Sequence, residues 1–106
     1  MSVNVSELLA KVPTGLLIGD SWVEASDGGT FDVENPATGE TIATLASATS
    51  EDALAALDAA CAVQAEWART PARERSNILR RGFELVAERA EEFATLMTLE
   101  MGKPLA

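Results

Sequence analysis

The chain contains no histidine, no tyrosine, one cysteine and 5% aromatic residues. Without histidine there is no Ser-His-Asp triad, no Cys-His pair and no histidine-based metal site. A single cysteine forms no intramolecular disulfide and no thiolate zinc cluster, which fits a reducing, cytoplasmic setting. The longest apolar runs, Ala53–Leu57 and Ala59–Val63, are far shorter than the roughly 20 residues needed to cross a bilayer. No charged-then-apolar leader opens the sequence. Cations are also scarce: 8 basic residues against 17 acidic ones give a net charge of -9. That balance repels nucleic-acid phosphates and anionic membranes, so neither is an expected partner.

What remains is 106 residues, 47% apolar, enough for one domain at most. Nineteen of the apolar residues are alanine, so the supply of large core side chains is thin. The charge is uneven. Residues 1–60 carry all of the excess acid, while residues 61–106 hold seven charges of each sign.

The sequence divides into an amino-terminal arm (1–13), a β-meander (14–48) and a helical segment (49–106), an α+β chain: an antiparallel meander followed by three helices. The arm holds one helical turn at Ser6–Lys11 and is ordered only where it docks. In the meander, Leu16-Leu17-Ile18 and Trp22-Val23 flank Gly19-Asp20, a hairpin signal. Phe31-Asp32-Val33-Glu34 alternates apolar and acidic residues as a half-buried strand does. Asn35-Pro36-Ala37-Thr38-Gly39 is a turn, and Thr41–Leu45 a further strand.

Thr49 and Asp52 have the spacing of a capping box, which starts a helix running to Arg69. Thr70 and Pro71 predict the next start, threonine as N-cap and proline at the first helical position. Leu79, Phe83, Val86 and Ala90 recur at steps of four and three, continued by Phe93 and Met97. A break near Ala90 places Glu91 and Glu92 in the first turn of a third helix, where acids are favoured. Gly82 in mid-helix predicts close packing. Gly102 and Pro104 are stop signals.

The first of these helices carries the main physical clue. At about 100° per residue, Glu51, Asp52, Asp58, Glu66 and Arg69 fall within roughly 120°, and the rest of the circumference is apolar apart from Gln64. Such a helix is prepared for burial on two sides, and the chain holds an obvious cover for one. Candidate chemistry is sparse. Cys61 lies on the apolar arc, without an activating histidine, and reads as inert packing. Lys103 follows a helix-ending glycine and reads as a partner of the last carbonyls. There is no Gly-x-Gly-x-x-Gly and no phosphate-binding loop. The acids of the first half read as solvation. Trp22 and Trp67 read as core or interface anchors.

The order of motifs resembles one family. Leu17-Ile18-Gly19-Asp20-Ser21-Trp22, Val33-Glu34-Asn35-Pro36-Ala37-Thr38-Gly39-Glu40, Ala59-Ala60, Trp67, Pro71 through Arg75, and Leu99-Glu100-Met101-Gly102-Lys103-Pro104-Leu105 resemble the amino-terminal portion of the aldehyde dehydrogenase superfamily. Met97 through Ala106 is most similar to its succinate-semialdehyde dehydrogenase branch. The resemblance implies that residues 14–106 are an incomplete amino-terminal part of a cofactor-binding domain, within a larger α/β subunit. Members oxidise an aldehyde to an acid with NADP or NAD. A cysteine attacks the aldehyde, hydride passes to the nicotinamide, and a glutamate-activated water releases the acid.

Those residues lie downstream of this stretch in the family, and Cys61 does not align with the nucleophile. No catalytic or cofactor-binding residue is therefore expected here, and the chain is expected to be silent alone, with no cofactor bound. Its expected partners are the remainder of its own subunit and, at full length, further copies of it. The resemblance also implies a structural monovalent cation held by Val33, Glu34 and Glu100, with other ligands from downstream. The alternative, from a different class, is a short stand-alone interaction or capping module without enzymatic activity.

Overall fold

The computed structural model describes residues 3–105. Met1, Ser2 and Ala106, which belong to the arm and to the last motif, lie outside the described residues. The chain is α+β: α1 (Val5–Lys11), β1 (Leu16–Ile18), β2 (Ser21–Val23), β3 (Thr30–Glu34), β4 (Thr41–Ala46), α2 (Ser50–Arg69), α3 (Ala72–Glu88) and α4 (Ala90–Met101).

The expected meander is two separate antiparallel ladders, β1–β2 and β3–β4. The backbone between β2 and β3 is diverted from pairing by a turn in which Gly28 N donates to Ala25 O and Gly29 N to Asp27 Oδ1. Ser26 N is drawn instead to Asp52 Oδ2 (3.1 Å). One backbone bond, Ala46 N to Thr14 O, ties β4 to the segment before β1, while Ser47 N to Gly29 O extends the β3–β4 ladder by one position. The β1–β2 hairpin closes through Gly19 at φ 65°, the position that a II′ turn assigns to glycine.

α2 begins in the anticipated capping box. Thr49 Oγ1 accepts from Asp52 N (3.1 Å), and Asp52 Oδ2 accepts from Thr49 N (2.9 Å). Because Asp52 also receives Ser26 N, it fastens the loop after β2 to the start of α2. The backbone N–H groups of Thr49 and Ser26 hold its carboxyl below the ordinary value near 3.8, against the opposing effect of burial. A carboxylate with a lowered folded pKa contributes stability above its unfolded pKa and loses it as pH falls through the folded one. Acid titration followed by circular dichroism should therefore show an α2-weakening step below about pH 4 that Asp52→Asn lacks. Parallel curves for the two proteins contradict that role.

At the next joint the expectation needs correction. Pro71 is the cap of α3 rather than its first residue, at φ -53° and ψ 140°. Thr70 closes α2 instead of capping α3, its N–H and hydroxyl both donating to Glu66 O. Proline disfavours helical geometry in the residue before it, and Thr70 is accordingly extended, with ψ 131°. The anticipated break falls at Arg89, between α3 and α4.

The core is small. Among the described residues Leu8 and Ala25 are the buried apolar ones, and no side chain is fully enclosed. β1 lies against α2, and Leu17, itself exposed, lines a hollow there with Ala56, Ala59 and Ala60. Beyond that contact, α2 and α3 keep Leu54, Leu57, Val63, Trp67, Leu79 and Phe83 exposed. The close packing expected at Gly82 is not made among the described residues, since none lies within 4 Å of a Cβ built there. The radius of gyration is 17.0 Å, against about 13 Å for a compact domain of this length. The accessible surface is 8100 Å², against about 5,700 Å² for a closed monomer of this mass.

Candidate functional site

The site that the sequence points to is built from two distant segments. β3 delivers the first. Its ladder with β4 pairs Val33 with Ala43 and Glu34 with Thr41, so the register shifts between Val33 and Glu34. The extra residue of the bulge is Ile42 on β4. The following turn is tightly bonded: Gly39 N and Thr38 N donate to Asn35 O, Ala37 N donates to Asn35 Oδ1, and Asn35 N donates to Glu40 O.

α4 delivers the second segment. It ends at Gly102, left-handed at φ 78° and ψ 6°, with Gly102 N donating to Thr98 O. A Cβ on Gly102 would sit 3.2 Å from Pro36 Cγ, so the exit of α4 is seated against the Asn35–Gly39 turn. A glycine is required there twice, for its backbone angle and for the approach of Pro36.

Val33 is half-buried in β3, whereas Glu34 and Glu100 are exposed. Glu100 occupies the last turn of α4, which holds no basic residue. An acid at the negative end of a helix is disfavoured, by about 0.3–1 kcal/mol at an exposed position, and a nearby cation reverses that cost. The oxygen donors are thus of the right type for a hard cation. They are too few to enclose one: among the described residues no group of three or more acids, cysteines or histidines gathers.

The other candidates are dispersed. Cys61 is exposed on α2, not packed as its apolar arc suggested, and no described residue covers it. Lys103 is exposed beyond the α4 cap. Trp22 and Trp67 are both partly exposed and anchor no closed core. Sequence reasoning did not find the Asp52–Ser26 bond or the contact of Pro36 with Gly102. The motif flanks of both were visible, but nothing in a linear sequence pairs residues that far apart. No helix among the described residues is long and apolar enough to cross a membrane.

Residues 22–106 match the aldehyde dehydrogenase family, and the chain belongs to it. More narrowly, it matches the amino-terminal region of succinate-semialdehyde dehydrogenases. It is 72% identical over 65 residues to succinate-semialdehyde dehydrogenase of Paenarthrobacter nicotinovorans, covering 61% of this chain and 14% of that protein. It is 41% identical over 106 residues to the NADP-dependent succinate-semialdehyde dehydrogenase of Escherichia coli, covering all of this chain and 21% of the relative. Among solved structures, a betaine aldehyde dehydrogenase of Staphylococcus aureus in complex with NAD+ superposes with a TM-score of 0.89 at 35% identity, over 95% of this chain and 20% of the other. The chain therefore spans about a fifth, or less, of the length of these relatives.

Proposed function

We propose that residues 14–106 form the amino-terminal part of the cofactor-binding domain of an aldehyde dehydrogenase subunit. As a whole, that subunit oxidises succinate semialdehyde to succinate with NADP or NAD. The observation that carries this reading is the match over the full 106 residues to a succinate-semialdehyde dehydrogenase roughly five times as long. The exposed apolar faces of α2 and α3 support it physically, since they are surfaces for further protein to cover.

In this reading the short chain is catalytically silent and binds no cofactor. Val33, Glu34 and Glu100 contribute oxygen donors to a monovalent cation site completed by ligands from the rest of the subunit. The full subunit is cytoplasmic and assembles with copies of itself.

The test is an absorbance assay at 340 nm with succinate semialdehyde and either NADP or NAD. The 106-residue chain yields no reduced nucleotide above a blank, and the subunit translated from the continuing reading frame turns over. Turnover by the short chain overturns the reading, and so does a full subunit inactive on this aldehyde.

A further inference from the structure

The element left unexplained by the dehydrogenase reading is α1. At seven residues it is well below the roughly 12–15 at which an isolated helix becomes even marginal in water, so docking holds it in shape. It docks on the joint between α3 and α4. Leu8 is its anchor, 5% exposed and the most completely buried large apolar side chain described. Hollows flank this anchor, one of about 450 Å³ toward Ala87 and Ala90, the other of about 370 Å³ toward Phe93 and Leu96. The last turn of α1 reaches α4 through Lys11 Nζ, 3.2 Å from Glu92 Oε1.

The joint itself has little to fix its angle. Arg89 is at once the last cap of α3 and the first of α4, and its side chain makes no capping bond to α4. Its N–H donates to Leu85 O and Val86 O, and its carbonyl accepts from Phe93 N, all of them backbone bonds that survive a change of tilt. α4 is a lever of 12 residues, about 17 Å long. A tilt of about 10° at Arg89 moves its far end by about 3 Å, enough to part Gly102 from Pro36.

We propose that α1 is a strap that sets the tilt of α4 and thereby seats Gly102 against the Asn35–Gly39 turn. Leu8 supplies the hold and Lys11–Glu92 the alignment. Because Lys11 is largely exposed, the alignment weakens with salt. The inference rests on this geometry and not on the dehydrogenase reading, so its test applies to the protein as its gene expresses it, whatever the length.

Amide hydrogen exchange is measured by mass spectrometry in peptides spanning 5–11, 87–93 and 97–103. Leu8→Ser is expected to speed exchange roughly tenfold in all three, the loss of one buried leucine. Lys11→Glu is expected to give roughly a twofold rise at 87–93 and 97–103, and Lys11→Glu with Glu92→Lys to restore it. Faster exchange confined to 5–11 overturns the proposal, because the arm is then a passive appendage. If Leu8→Ser fails to fold, the charge reversal decides: no rise at 97–103, or no restoration by the swap, overturns it equally.

Discussion

Phe83→Ala is expected to cost the isolated chain no more than about 1 kcal/mol and the full subunit about 3–5 kcal/mol. In the chain alone Phe83 is 62% exposed, and the Arg80 guanidinium 5.4 Å from its ring is its one notable interaction. Losing a cation–π contact at an exposed site is worth roughly 0.5–1 kcal/mol. Where further protein covers the α3 stripe, the same truncation removes a buried ring and leaves a cavity, which is the larger figure. Leu79 and Val86 share the stripe and the exposure, so they follow in smaller steps. Denaturation of the full subunit, and the helix content of the isolated chain by circular dichroism, each with and without the substitution, read the difference. Equal losses in the two contexts contradict the view that this face is an internal surface.

The second large effect concerns the chain as a whole. Its surface exceeds that of a closed monomer of the same mass by about 2,400 Å², comparable with large obligate interfaces. A cooperative transition needs a core whose parts are lost together. Here the two ladders, the α1 dock and the long helices α2 and α3 meet along narrow seams, with Leu8 and Ala25 as the buried apolar residues among those described. Local order is secured at particular points, among them the Asp52 capping box and the Asn35–Gly39 turn, and these are bonds of short range. Elements held that way are expected to melt one by one as denaturant rises.

Much of the fold was legible because its signals are local. The bounds of α2 follow from Thr49 and Asp52 at one end and Thr70-Pro71 at the other, and the break at Arg89 follows from Glu91 and Glu92 seeking a helix start. Gly102 ends α4 as its stop signal indicates. Less legible was what covers each apolar or small residue, because periodicity marks a face for burial without naming the partner that buries it. Cys61 and Gly82 face open space, and the two tryptophans anchor nothing complete. The four antiparallel strands are divided into two ladders, with Ser26 N bonded to a carboxylate 26 residues away, a pairing that no local pattern shows. At the candidate site, the segments were legible as motifs, but their meeting at Pro36 and Gly102 depends on the tilt of α4, which no local pattern encodes.

Equilibrium urea unfolding of the isolated 106-residue chain, followed by circular dichroism alongside sedimentation, tests the central claim most directly. If these residues are one part of a larger domain, helix is lost gradually from low urea, with a slope well under the ~1 kcal/mol per M of a small two-state protein. The chain then also self-associates or binds a hydrophobic dye through its uncovered faces. A monomer near 11.2 kDa with one sharp transition and no dye binding contradicts the account and favours a self-sufficient module.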